Sequence, residues 1–130
     1  MRNTRNKCGN HKVTINGIEY DSKREANRHM ELLLLQRAGE IHNLERQVRF
    51  ELVPTQREPD TIGKRGGVHK GKLIEKEVDY VADFVYIDKT GEKVVEDVKG
   101  YRDPSSAVYA KFVIKRKLML WIHGIRIREV

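Results

Sequence analysis

The chain has little of what stabilises a secreted or membrane protein: one cysteine, three prolines and only short apolar runs among its 130 residues. The lone Cys8 excludes an intramolecular disulfide, so a reducing, cytoplasmic setting is expected. No apolar run approaches the roughly 18 residues that cross a bilayer, so no membrane span is expected. The composition predicts a single domain over residues 1–130, with a basic, flexible N-terminus at residues 1–11.

Acidic residues are also in deficit, with 19 Asp and Glu against 26 Lys and Arg and a formal charge of +7. Such a chain favours a polyanionic partner, most often nucleic acid. The acids are concentrated in residues 73–98, where eight of them accompany three bases, while both ends of the chain are basic. This segregation suits a cation site surrounded by phosphate-binding residues, and chance segregation of surface charge is the alternative.

Local patterns predict the first half of the fold. Residues 12–20 alternate around Asn16-Gly17, which predicts a hairpin. Ser22 and Glu25 have capping-box spacing before a helix over residues 23–38, whose apolar positions are 26, 30, 33, 34 and 38. Residues 41–53 then alternate as a strand, except that Arg46 interrupts the apolar period.

The second half begins with residues 54–72, which are rich in glycine and base and are expected to form a mobile loop or an open hairpin. Two strands follow, over residues 77–87 and 92–99, and then a helix over residues 107–122 with Asp103 as its cap. Residues 125–130 alternate as a last strand. The predicted class is α/β, with a mixed central sheet of four to five strands flanked by helices.

Asp83 and the stretch Asp97-Val98-Lys99 carry the clearest chemical signal. Residues two apart in a strand share a face, so Asp97 and Lys99 are expected on one side, with Asp83 on the preceding strand able to join them. Two carboxylates beside a lysine can hold a hard divalent cation such as Mg²⁺ and promote phosphodiester hydrolysis without an organic cofactor. An exposed cross-strand ion pair is the alternative.

Three stretches resemble, in order, a family of small phage-encoded proteins assigned to the PD-(D/E)XK nuclease superfamily and related to Holliday-junction resolvases. These are GIEYDSKREA (17–26), YVADF (80–84) with VEDVKG (95–100), and Tyr109 with the bases of 115–117. The superfamily has a restriction-endonuclease-like core with the order α-β-β-β-α-β, which matches the predicted elements after the N-terminal hairpin. The proline of the motif is replaced by Ala82, at a position that varies in the superfamily.

The resemblance implies a role for each matching residue. Asp83 and Asp97 would be metal ligands together with the Val98 carbonyl, and Lys99 would be the catalytic lysine. Glu25 would be an additional catalytic acid near the metal, with helix capping as its competing role. The implied cofactor is Mg²⁺, with Mn²⁺ as the alternative.

The same resemblance implies a metal-dependent endodeoxyribonuclease, structure-selective for branched DNA such as a Holliday junction. Symmetric cutting of a junction requires two active sites and therefore a homodimer, which would act in the host cell cytoplasm. The alternatives are a nuclease acting on mismatched, nicked or linear DNA and a DNA-binding module without catalysis.

Two groups of residues are candidates for contact with the DNA backbone, where they would set affinity rather than sequence preference. For both groups, solvated surface charge is the alternative. They are Lys64, Arg65, Lys70 and Lys72 in the glycine-rich segment, and Tyr109, Lys111, Lys115 and Lys117 on the second helix.

Overall fold

The computed structural model describes residues 12–99 and 103–130, so the expected flexibility of residues 1–11 lies outside the described residues. The elements in chain order are β1 (Val13–Ile15), β2 (Ile18–Tyr20), α1 (Lys23–Arg37), β3 (His42–Val53), β4 (Gln56–Arg57), β5 (Thr61–Ile62), β6 (Val68–His69), β7 (Leu73–Glu75), β8 (Val78–Ile87), β9 (Lys93–Asp97), α2 (Ala107–His123) and β10 (Ile127–Glu129).

A four-stranded mixed sheet in the order β10-β9-β8-β3 forms the centre of the molecule. β3, β8 and β9 pair antiparallel, and β10 joins β9 in parallel. One hydrophobic cluster lies between the sheet and α2, with Phe112 and Met119 buried on the helix. A second cluster includes Leu32 of α1 together with Phe84 and Tyr86 of β8. The α/β class and the mixed central sheet are thus confirmed. Among the described residues, neither helix is long and apolar enough to cross a membrane.

The helix ends show where local capping patterns succeed and where one fails. Ser22 caps α1 by accepting the Glu25 N–H at 3.1 Å, and Gly39 follows the helix with φ +79°. The prediction of Asp103 as the cap of α2 is wrong, because Ser106 accepts the Tyr109 N–H at 3.0 Å. Asp103 instead closes a turn just before the helix by accepting the Ser105 N–H.

The buried face of α1 differs from the predicted apolar stripe. Glu25, Ala26, His29 and Leu32 are the buried residues, whereas the predicted apolar positions 33 and 34 are exposed. The helix therefore turns a polar face, with a carboxylate and an imidazole, toward the interior. Both groups have polar partners there, because the His29 Nδ1 lies 2.6 Å from the Tyr20 hydroxyl and Gln47 donates to the Glu25 carboxylate at 3.0 Å.

Residues 54–77, which we call the arm, join β3 to β8 through paired strands. β4 pairs with β7, and β5 pairs with β6 nearer the turn. Of the two alternatives for residues 54–72, a mobile loop or an open hairpin, the paired strands correspond to the hairpin. Gly71 allows the two sides of the arm to pack closely, because a Cβ at this position would lie 1.7 Å from the Glu58 carbonyl oxygen. The Gly71 N–H also donates to Asp60 Oδ1 at 2.9 Å.

Candidate active site

The sheet opens into a fork at Asp83. The ladder between β8 and β9 ends at the pair Phe84–Glu96, while β8 continues to pair with β3 as far as Val78. Beyond this ladder, the Asp83 carboxylate accepts the Val98 N–H at 2.7 Å and bridges the two diverging strands. The fork thus places the end of β9 beside the side chain of Asp83.

On β8 and on its partner β3, the regular alternation of side chains between the two faces of the sheet is interrupted at the fork. On β8, Ala82 packs in the α2 cluster and Phe84 in the other, although residues two apart normally share a face. On β3, Gln47 lies opposite Asp83, between the pairs Arg46–Phe84 and Val48–Ala82, and has φ +52°. A positive φ is unfavourable for a residue other than glycine, so the backbone at Gln47 is strained.

Asp97 and Lys99 lie on the same side, as the strand pattern predicted. Lys99 Nζ is 2.6 Å from Asp97 Oδ2 and 3.5 Å from the centroid of the Phe112 ring. The side chains of Asp97 and Lys99 are only 10% and 20% exposed. The alternative of an exposed surface pair is therefore wrong, and the ammonium is held between a carboxylate and an aromatic face of α2.

Glu25 joins this group through Gln47. The Gln47 side-chain amide donates to Glu25 Oε1 at 3.0 Å and lies 3.5 Å from Asp83 Oδ1. Arg46 adds a 3.5 Å ion pair to the same Glu25 oxygen. The Glu25 N–H donates to Ser22 Oγ in the helix cap, and the Glu25 carboxylate contacts the backbone of Asp21 as well as Gln47 and Arg46, so Glu25 serves the start of the helix and also reaches the fork.

The acids at the fork are held in an unfavourable electrostatic state. Burial, together with the neighbouring Asp97 and Glu25 carboxylates, raises the pKa of Asp83 to about 8, although the Val98 N–H opposes the rise. Burial and repulsion from Asp21 also raise the pKa of Glu25. Clustered carboxylates of this kind are typical of functional sites, because a bound cation offsets their repulsion.

The resemblance implies a divalent cation, and the donors at the fork fit one. Asp97 Oδ2 is buried and makes no hydrogen bond to any described residue, since Lys99 approaches it without hydrogen-bond geometry. Mg²⁺ often uses one or two carboxylates and fills its other positions with waters and substrate phosphates. Asp83, Asp97 and the Val98 carbonyl could supply these protein ligands. Within residues 12–99 and 103–130, no set of three or more His, Cys, Asp or Glu side chains that could hold a metal is gathered.

The predicted DNA-contacting residues lie outside this cluster. Lys64, Arg65, Lys70 and Lys72 are exposed on the arm. On α2, Lys111 and Lys117 are exposed, whereas Lys115 is half-buried and Tyr109 packs against the core. The Tyr109 hydroxyl lies 3.5 Å from Glu129 Oε1, so its position also has a structural explanation.

Sequence reasoning missed Gln47 and Arg46 as parts of the site. The interruption of the apolar period at Arg46 was the available signal, because it marks the place where β3 changes face. Nothing in the sequence indicated that Gln47 would contact Glu25 and Asp83, which requires the pairing of β3 with β8.

Comparisons with known proteins identify a family. No curated protein and no solved structure matches the chain. A family model described as "Protein of unknown function (DUF1064)" matches residues 5–125. Because the match covers nearly the whole chain, this protein belongs to the DUF1064 family.

Proposed function

We propose that this protein is a metal-dependent endodeoxyribonuclease that hydrolyses phosphodiester bonds in branched DNA, with a PD-(D/E)XK site and the resolvase-like role implied by the resemblance. The observation that carries the proposal is the fork itself. It brings together Asp83, the buried Asp97 Oδ2 and the ammonium of Lys99. The chain order α1, β3, β8, β9, α2, β10, with the arm inserted between β3 and β8, also supports the proposal, because the resemblance implies the order α-β-β-β-α-β.

In this proposal, Asp83, Asp97 and the Val98 carbonyl hold Mg²⁺, or alternatively Mn²⁺. When bound, the cation would polarise a phosphate oxygen and lower the pKa of a water molecule. Lys99 contributes positive charge beside the scissile phosphate, and Asp97 and the Phe112 ring hold its ammonium in place. The Gln47 amide contacts the carboxylates of both Glu25 and Asp83, and it thereby fixes their positions relative to each other and to the cation.

The proposed substrate and assembly follow from the resemblance and from symmetry. Cutting a four-way junction symmetrically requires two sites, so the proposed active form is a homodimer in the host cell cytoplasm. The surplus of seven positive charges favours association with DNA.

Lys99→Ala tests whether the fork performs chemistry. We expect it to lower the cleavage rate at least about 100-fold while DNA binding changes little, because the lysine acts on the reacting phosphate. Lys93→Ala is the matched control, since Lys93 begins β9 whereas Lys99 follows the end of that strand, and Lys93 Nζ also lies over an aromatic ring, 5.3 Å from the centroid of Phe50. Equal cleavage by the two variants would contradict the proposal, and binding without cleavage by the unmodified protein would favour a non-catalytic module.

A further inference from the structure

The arm has a tip that presents two bases in a tight turn. Gly66 N–H donates to the Gly63 carbonyl at 3.0 Å, which encloses Lys64 and Arg65 as the central residues of a β-turn. Gly66 has φ +82°, which glycine adopts without strain. The turn therefore fixes the backbone that carries Lys64 and Arg65 at the most distal point of the arm.

Just behind the tip, an apolar pair is exposed to solvent. Ile62 and Val68 face each other across β5 and β6 and are 80% and 71% exposed. Residues 61–72, which form the outer part of the arm, include four bases and no acid, so the apolar pair shares this part of the arm with basic side chains. A surface that combines bases with an exposed apolar wedge fits nucleic acid, whose backbone is anionic and whose bases are apolar on their faces.

The arm also has a defined position relative to the fork. It continues the paired ribbon of β3 and β8 beyond Asp83, and five strand residues, about 16 Å, separate Asp83 from Val78 at its base. The arm then continues outward through the β4–β7 and β5–β6 pairs to its tip, so the tip lies further from the fork along the same ribbon, and DNA that reaches from the fork to the tip must follow the ribbon.

We propose that the arm distinguishes branched from linear DNA, an inference that rests on the proposed function. Lys64 and Arg65 bind phosphates, and Ile62 and Val68 pack against bases that are unstacked at a branch point. In an intact duplex the base faces are covered by their neighbours, so the apolar pair gains contact only where stacking is already interrupted.

The test measures binding of four-way junction and of linear duplex in the Asp97→Asn background, which prevents cleavage. The double variant Ile62→Ser with Val68→Ser should lower the preference for the junction about tenfold and leave duplex binding within twofold. Leu33→Ser with Leu34→Ser is the matched control, because it removes two exposed apolar side chains from α1. An unchanged preference in the arm variant, with its fold intact by circular dichroism, would overturn the proposal.

A second double variant, Lys64→Ala with Arg65→Ala, tests the tip. It should weaken binding to both DNAs to a similar extent. It should also reduce the slope of log binding constant against log salt concentration by nearly two, since two phosphate contacts are lost. Arg37→Ala with Lys89→Ala is its control, since both side chains are exposed away from the arm. Unchanged binding in the tip variant would overturn the phosphate role. The two proposals can fail separately. If the proposed function is wrong, the unmodified protein cleaves no DNA, whereas if only the role of the arm is wrong, the unmodified protein cleaves DNA and the arm variants bind DNA as it does.

Discussion

At the scale of single residues, the fork brings together groups that repel one another. Asp83 lies beside Asp97 and near Glu25, and Asp97 Oδ2 is buried without a hydrogen bond to any described residue. Lys99 Nζ lies 2.6 Å from Asp97 Oδ2, yet burial beside the other carboxylates still raises the pKa of Asp83 to about 8. The arrangement is explained if the carboxylates are held ready for a cation.

Asp83→Asn should therefore stabilise the metal-free protein. Because the folded-state pKa of Asp83 is raised to about 8, the folded protein keeps a proton that the unfolded chain loses above pH of about 4. This carboxyl group thus contributes stability at low pH that is lost as the pH rises through that window. At pH 8 the variant should melt roughly 3–6 °C higher, corresponding to about 1 kcal/mol, with a smaller gain at pH 5.

The same melting experiment has a second readout. Addition of Mg²⁺ should raise the melting temperature of the unmodified protein and leave that of Asp83→Asn unchanged, because only a ligand that binds the folded state stabilises it. A variant that melts below the unmodified protein at pH 8 would contradict the conclusion that these acids repel one another.

Gln47 allows the strain at the fork to be separated from its chemistry. Gln47→Gly should be more stable than Gln47→Ala by about 1 kcal/mol, because glycine adopts a positive φ without a Cβ clash. Both variants lose the amide that contacts Glu25 and Asp83, so both should cleave DNA at least about tenfold more slowly. Urea unfolding and initial cleavage rates measure the two effects.

Asn43 supplies the control for Gln47, because it also has a positive φ, at 56°, and lies at the other end of the β3–β8 ladder. Asn43→Ala should be less stable than Asn43→Gly while cleavage is retained in both. Loss of cleavage in both Asn43 variants would assign the effect of Gln47 to strand geometry rather than to its amide.

At the scale of the elements, α1 is attached to the sheet by a buried ion pair. The Arg28 guanidinium donates to both carboxylate oxygens of Glu96, at 2.8 and 2.7 Å, and the Tyr86 hydroxyl also donates to Glu96. Glu96 is fully buried and faces α1, whereas Asp97 contacts Lys99, whose ammonium lies over the Phe112 ring. Because neighbouring residues of a strand face opposite sides, Glu96 anchors the helix that carries Glu25, and Asp97 belongs to the fork.

Arg28→Met should destabilise the protein by about 3 kcal/mol or more, because it leaves the Glu96 carboxylate buried without its cation. The double variant Arg28→Met with Glu96→Gln should recover part of this loss, since it removes the uncompensated charge. Urea denaturation of the two single variants and the double variant gives the coupling energy. Additive effects of the two substitutions would contradict an anchoring role for the pair.

Sequence patterns predicted the elements better than their orientation. Both helices and the main strands follow from periodicity and turns, and Gly124 follows α2 in the left-handed conformation that glycine adopts readily. The buried face of α1 could not be predicted by hydrophobicity, because Glu25 and His29 are buried and the leucines at 33 and 34 are exposed. Tertiary contacts, such as the 2.6 Å hydrogen bond between Tyr20 and His29, determine that orientation.

At the scale of the whole molecule, the central sheet brings distant segments to one place. The site residues Glu25, Gln47, Asp83 and Asp97 come from α1, β3, β8 and β9. Strand pairing brings the last three together, and the packing of α1 against the sheet adds Glu25. The sequence could predict Asp83, Asp97 and Lys99 because they lie on or just after two strands that are consecutive in the chain and are joined by a tight turn. Gln47 is a longer-range neighbour, so its contribution required the observed register.

Cleavage of labelled four-way junction, Y-fork, linear duplex and single-stranded DNA, with Mg²⁺ or with EDTA and beside Asp97→Asn, tests the central claim most directly. The proposed site predicts junction cutting that requires both Mg²⁺ and Asp97. Equal cutting of linear duplex would retain the site and contradict the junction role. Tight DNA binding without cleavage of any substrate, with Mg²⁺ or Mn²⁺, would contradict a nuclease at the fork.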